Sequence, residues 1–138
     1  MRRLGVIFAV LVLALAAAPA AAPGKKAIKG ELTLEMGQPD FFGASASGKI
    51  KTKKICADLR AVRVKLLDPP PGYQQAGRIY GNRDKTYSDL VPVPDEPGTY
   101  AFRARAKKTR VARGLKRAKC AKLVSPVVSV TVTPEPPL

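Results

Sequence analysis

The side chains of this sequence that could do chemistry are mostly basic, and they concentrate in the C-terminal third. From Thr99 to Thr133 the chain contains no Asp or Glu. A surface rich in Lys and Arg attracts polyanions, but it can also keep a strand edge soluble and unpaired. The sequence leaves both interpretations open. The candidate anion-binding residues are Arg103, Arg105, Lys107, Lys108, Arg110, Arg113, Lys116, Arg117, Lys119 and Lys122. Lys49, Lys51, Lys53 and Lys54 could extend this surface.

Catalytic and metal-binding chemistry has little support. The chain contains no His, which excludes Ser-His-Asp and Cys-His catalysis and most zinc sites. Asp84, Asp89, Asp95 and Glu96 form the one local group of acids, in segments typical of turns. Calcium binding there is the alternative, although the ligand spacing of an EF-hand loop is missing. We therefore expect no enzyme activity, no cofactor and no metal.

Two cysteines, Cys56 and Cys120, form a minimal even set. In an exported chain such a pair predicts one disulfide. Two free thiols or a pair of metal ligands are the alternatives, but a metal site needs further ligands. A disulfide between these two residues would close a loop of 64 residues. In the chain-entropy model, a loop of that length corresponds to about 4 kcal/mol of stability.

The elements that position these residues are predicted to be strands. Apolar and polar residues alternate with period two, and Gly, Pro and Asp clusters separate the alternating segments. About seven short strands with turns between them favour an all-β, antiparallel immunoglobulin-like or prealbumin-like sandwich, with a barrel as the alternative. The predicted strands cover residues 31–36, 41–50, 60–66, 78–81, 86–93, 100–108 and 120–132, with 86–93 at a sheet edge because of Pro92 and Pro94.

The same alternation predicts which side chains face the core. Arg63 and Lys65 are expected on the outer face of their strand. Residues 109–117 are interpreted as a hairpin loop around Gly114, with a basic helix as the alternative because Ala, Lys, Arg and Leu favour helices. The predicted inward residues are Phe42, Ala44, Ala46, Ile50, Val62, Val64, Leu66, Tyr100, Phe102, Ala104, Ala106, Cys120, Val124, Val128, Val130 and Val132.

The N-terminus resembles a secretory signal. Two arginines precede an apolar run and a zone of alanines, which is the order of a signal peptide and its cleavage region. The alternative is a membrane anchor, but the apolar run is shorter than the ~18 residues that a spanning helix needs. We expect a signal-peptide helix at 1–20 with cleavage after Ala20, a basic linker at 21–30, a β-sandwich domain at 31–133 and a Pro-rich tail at 134–138. No transmembrane span is expected after cleavage, so the protein would be secreted, extracellular or periplasmic.

Two sets of motifs resemble known families. The segment 96–102, Glu-Pro-Gly-Thr-Tyr-Ala-Phe, is similar to the strand entry of immunoglobulin-like sandwiches, in which a Tyr follows a Gly turn. The second set is similar to the transthyretin-like, carboxypeptidase regulatory-like domains of secreted bacterial proteins. Its motifs are Phe41-x-Gly43-x-x-x-Ser47, the Lys-rich turn 51–56, Val62-x-Val64-x-Leu66, 81–86, Gly98-x-Tyr100 and 107–120. The resemblance implies an extracellular, non-enzymatic module.

The sequence therefore predicts a secreted or cell-surface module that binds an anionic cell-wall polymer or polysaccharide through its basic hairpin. The alternative is a cationic, membrane-active effector in which residues 101–123 form an amphipathic helix. Nucleic acid is not the expected ligand, because single strands require aromatic side chains that stack on bases. Tyr100 and Phe102, the aromatic residues near the basic set, have the parity of buried positions. Partner proteins are not indicated by any motif.

Overall fold

The computed structural model describes residues 26–134. The predicted signal peptide, residues 21–25 of the predicted linker and residues 135–138 of the predicted tail therefore lie outside the described residues. The described chain is all-β with antiparallel strand pairs, and it contains one short helix, α1. The strands are β1 (Glu31–Leu32), β2 (Glu35–Met36), β3 (Ala44–Lys51), β4 (Ala61–Leu66), β5 (Ile79–Tyr80), β6 (Thr86–Val91), β7 (Gly98–Ala106), β8 (Thr109–Arg113), β9 (Lys116–Cys120), β10 (Leu123–Val124) and β11 (Val128–Val132), and α1 spans Lys54–Ala57.

The first sheet is built on β3, which pairs with β1, β2 and β6. Strand β6 pairs only with β3 among the described strands, in agreement with its predicted edge position. The inward side chains of β3 are Ala44, Ala46 and Ile50, and all three are buried as predicted.

The second sheet is built on β7, which pairs with β4, β10 and β11, while β5 pairs with β4. The alternation predicted for 60–66 and 100–106 is confirmed, because Val62, Val64, Phe102, Ala104 and Ala106 are fully buried. Inward side chains from both sheets, including Ile50, Tyr87, Val64 and Phe102, form one hydrophobic core.

Strands β8 and β9 form a separate two-stranded hairpin that extends from the end of β7. Gly114 sits in its turn with a φ of 65°, a conformation that glycine adopts without steric cost. The predicted turn at Gly114 is confirmed, but the prediction that 109–117 form a loop is wrong, because 109–113 and 116–120 are the paired strands β8 and β9. The helical alternative for 109–117 is also wrong in this structure.

The predicted disulfide is confirmed and fixes this hairpin to the rest of the domain. Cys56 in α1 is bonded to Cys120 at the end of β9, with Cα atoms 5.6 Å apart. On the other side of Cys120, the main chain of Ile28 forms hydrogen bonds with Lys119 O and Ala121 N, of 2.8 and 2.9 Å. The hairpin is therefore anchored at its base from two directions.

Two predicted core positions are wrong. Phe42 is 77% exposed, because Asp40 and Gly43 close a tight turn just before β3 and the chain enters the sheet only at Ala44. Val124 is 41% exposed and its neighbour Leu123 is buried. Alternation is interrupted between Cys120 and Leu123, where β9 ends and β10 pairs with a different strand, so the inward parity shifts by one residue.

The helix α1 was not predicted from the sequence. Four residues make it too short to show a helical period, so it is read as a loop in the sequence. The one helix within residues 26–134 lacks the length and hydropathy that crossing a bilayer requires.

Candidate anion-binding groove

A grid of four basic residues covers part of the outer face of the second sheet. Strands β4 and β7 pair so that Arg63 lies opposite Arg105 and Lys65 lies opposite Arg103. Residues directly opposite one another in an antiparallel pair have Cα atoms about 4.5–5.5 Å apart, and like charges in such pairs are destabilising. The strand register thus concentrates positive charge at a small cost in stability.

Next to this grid, the hairpin and the segment after α1 enclose a groove with a volume of about 360 Å³. This volume is within the range of about 300–1,000 Å³ that is usual for ligand sites. Thr109 and Val111 of β8 line one wall, and Leu59 lines another with a 58% exposed side chain. Eight basic residues line the groove, including Arg60 at its floor: Arg60, Arg63, Lys65, Arg78, Arg105, Lys107, Lys108 and Arg113.

The wall formed by residues 58–59 is held in an unusual backbone conformation. Leu59 has a φ of 54°, in the left-handed region that residues other than glycine rarely occupy. Arg113 Nη2 donates a hydrogen bond of 3.0 Å to the main-chain oxygen of Asp58 and so ties this wall to the hairpin. Asp58 is the one acidic residue that lines the groove.

Arg60 lies beneath the groove and holds three chain segments together. It is 5% exposed, and its guanidinium donates to main-chain oxygens of Cys56 at 3.0 Å, Lys107 at 2.9 Å and Ala121 at 2.8 Å. Burial lowers the pKa of Arg60 from its ordinary value, because desolvation disfavours the charged form. The three carbonyl dipoles offset part of this penalty, so Arg60 is a structural clamp that also adds positive charge below the groove floor.

A smaller cavity of about 160 Å³ continues the basic surface along the sheet. It shares Lys65 and Arg105 with the groove and adds Arg103 and Lys122. Together the two cavities form an elongated basic face, which suits a chain of anionic groups better than a single ion.

The structure divides the predicted site residues into three groups. Arg105, Lys107, Lys108 and Arg113 line the groove, and Arg103 and Lys122 line the adjoining cavity. Lys116 is paired with Arg113 near the hairpin tip, outside both cavities. The remaining three lie on the opposite face of the hairpin, and they are Arg110, Arg117 and Lys119. Side chains alternate between the two faces along a strand, and cross-strand partners share a face. These three side chains therefore face away from Val111 and Arg113, which line the groove.

The predicted extension through the first lysines is not part of this groove. Lys49 and Lys51 line a separate surface cavity with Lys85, Thr86 and Asp84, and Lys53 and Lys54 line neither basic cavity. Sequence reasoning instead missed Arg63, Lys65 and Arg78 as site residues. The outward parity of Arg63 and Lys65 was visible, but the pairing of β4 with β7 that brings them to the basic stretch was not.

The acids considered for calcium binding do not form a site. Asp84 accepts hydrogen bonds from Thr86 Oγ1 at 2.6 Å and Thr86 N at 3.1 Å, and these hydrogen bonds lower the pKa of its carboxyl. Within residues 26–134, Asp, Glu and Cys side chains do not come together in groups of three or more that could hold a metal ion. Asp84 therefore acts as a turn-stabilising side chain.

No protein-family model, no curated protein and no solved structure matches the chain.

Proposed function

We propose that this chain is a non-enzymatic, exported β-sandwich module that binds anionic wall or matrix polymers through the basic groove. The observation that carries the proposal is the placement of eight basic residues around one groove that contains one acid. A groove with charges of one sign focuses the electrostatic potential and raises the local concentration of counter-ions. A solubility device alone would not require these charges to converge.

The stability of the sheet gives a second argument. Arg63 opposite Arg105 and Lys65 opposite Arg103 are like-charge pairs, and each such pair lowers stability relative to a neutral or opposite-charge pair. A bound polymer of phosphodiester or carboxylate groups would relieve this repulsion. Arg side chains suit such groups because the guanidinium can form two parallel hydrogen bonds with one anion.

The proposed architecture and location also have support. Tyr100 Oη donates a hydrogen bond of 2.7 Å to Glu96 O, which is similar to the tyrosine corner of immunoglobulin-like sandwiches. The core shared by the two sheets is consistent with a sandwich. The Cys56–Cys120 disulfide agrees with an oxidising compartment outside the cytoplasm.

A pair of matched variants tests the proposed function. R63E/R105E reverses two charges in the groove, and R110E/R117E makes the same change on the opposite face of the hairpin. We expect the groove variant to bind poly(glycerol phosphate) and polygalacturonate at least about tenfold more weakly, while the control stays within about twofold of wild type. Binding is measured by calorimetry across a salt series, in which wild-type affinity should fall as salt rises.

Equal losses for the two variants would mean that binding follows net charge rather than the groove, and the proposal would fail. No binding of either polymer by the wild type at low salt would also refute it. Helix formation on vesicles of anionic phospholipid, detected by circular dichroism, would favour the membrane-active alternative instead.

A further inference from the structure

Two phenylalanines are largely exposed to solvent at the end of the domain opposite the groove. Phe41 is 94% exposed and Phe42 is 77% exposed. Their rings meet edge to face with centroids 5.5 Å apart. The turn that presents them is fixed by hydrogen bonds from Asp40 N to Gly43 O at 2.8 Å and from Phe42 N to Asp40 Oδ1 at 2.7 Å. This exposure is therefore imposed by the turn.

The loops around this turn form an acidic end without basic residues. Tyr73 Oη donates to Pro92 O at 2.7 Å and joins the loop after β4 to the loop after β6, while Ala44 lies opposite Val91 beside the turn. Residues 37–47, 66–77 and 86–102 contain no Lys or Arg. The same segments contain the exposed acids Asp40, Asp68, Asp89, Asp95 and Glu96. We call this region the aromatic end.

We propose that the aromatic end of one copy docks into the basic groove of a second copy. The two surfaces are complementary in charge, and Arg side chains pack well against the faces of aromatic rings. Leu59 and Val111 give the groove apolar wall positions among its cations. An anionic lipid surface is a poorer partner for the aromatic end, because acids rather than basic residues surround its two phenylalanines.

The geometry of this contact predicts chains of molecules rather than closed pairs. Strand β7 begins at Gly98 near the aromatic end and ends at Ala106 near the groove, and its nine residues span roughly 30 Å. The docking surfaces thus lie at opposite ends of the molecule. A head-to-tail contact between different surfaces extends indefinitely unless the rotation between copies closes a ring. The net charge of +15 opposes association at very low salt, so moderate ionic strength, with a Debye length of about 10 Å, is the favourable condition.

Sedimentation velocity over a concentration series at moderate salt tests the inference. We expect the sedimentation coefficient of the wild type to rise with concentration, and that of F41S/F42S to stay at the monomer value. L115S, which removes an exposed apolar side chain at the hairpin tip instead, should associate like wild type. F41S/F42S has an intact groove, and R63E/R105E has an intact aromatic end. A mixture of these two variants should therefore form one-to-one complexes that do not extend into longer chains.

A wild type that stays monomeric at all concentrations would overturn the inference, as would an F41S/F42S variant that associates normally. Binding of F41S/F42S to poly(glycerol phosphate) distinguishes this inference from the proposed function. If F41S/F42S binds the polymer like wild type but no longer self-associates, the inference is supported independently of polymer binding. If the wild type instead stays monomeric and binds vesicles of anionic phospholipid that F41S/F42S does not bind, the partner of the aromatic end would be a membrane and not a second copy.

Discussion

The two ends of the all-β domain are held together in different ways. At the groove end, basic side chains lie close together, and a disulfide and the Arg60 clamp hold α1, the end of β7 and the end of β9 against one another. At the aromatic end, proline-rich loops and a tight turn close the sheets with hydrogen bonds alone, such as that from Tyr73 Oη to Pro92 O. The covalent cross-link therefore lies at the end where like charges are most concentrated.

The disulfide should make the largest difference between the two ends. In C56S/C120S the unfolded chain regains the freedom of a loop of 64 residues, which corresponds to a loss of about 4 kcal/mol of stability. Denaturant unfolding measures the loss. Hydrogen exchange should show opening of β8 and β9 at lower free energy than β3 and β6. A uniform increase in exchange across the domain would contradict the distinction between the ends.

Removal of the Arg60 clamp should have the next largest effect. R60M leaves three carbonyl oxygens, of Cys56, Lys107 and Ala121, without their donors. Unpaired buried acceptors each cost about 1–3 kcal/mol, and some of these will find water, so we expect a net loss of about 3 kcal/mol. R63M is the matched control on the outer face, with an expected change within about 0.5 kcal/mol. Equal unfolding free energies for the two variants would show that Arg60 is not a clamp.

At the aromatic end the most sensitive position is Gly43. Its φ is 124°, and a side chain there would collide with the main-chain oxygen of Val91. G43A should therefore lower the unfolding free energy by about 2 kcal/mol. G77A, at a position where an added Cβ meets nothing within 4 Å, should change it by less than about 0.5 kcal/mol. A neutral G43A would mean that the turn below Phe41 and Phe42 is not fixed.

The smallest expected effect comes from two charge reversals that distinguish a role in polymer binding from a role in stability. K65E converts the pair with Arg103 into an opposite-charge pair, and K119E does the same for the pair with Arg110. Each change should raise stability by about 0.2–1 kcal/mol. Only K65E alters the groove, so only K65E should weaken binding to poly(glycerol phosphate). If both variants bind like wild type, the basic grid has no role in recognition.

The sequence predicts the strands that show clear alternation, because alternation is a local property, but it does not predict β8 and β9, which are rich in basic residues and are interpreted from the sequence as a loop. The inward faces of β4 and β7 follow directly from the spacing of Val62, Val64, Phe102 and Ala104. The disulfide also follows, since Cys56 and Cys120 are the only cysteines of the chain. These features do not depend on which strands become neighbours.

The groove could be predicted only in part, because it arises from long-range pairing. Arg63 becomes a site residue since β4 lies beside β7, and Arg117 is removed from the site since it faces away across the hairpin. Arg60 has the same inward parity as Val62, but a charged residue is not expected to be buried. Its role as a clamp is recognised only from its three main-chain carbonyl partners in the structure. Phe42 was misplaced because alternation carries no information about where a turn ends and a strand begins.

Lysine footprinting tests most directly whether a polymer occupies the groove. The protein is acetylated under limiting conditions with and without poly(glycerol phosphate), and modification is read by mass spectrometry. Our account predicts that the polymer protects Lys65, Lys107, Lys108 and Lys122, while Lys119 on the far face of the hairpin and Lys85 on the first sheet stay reactive. Equal protection of Lys119 and Lys85 would contradict a binding site in the groove.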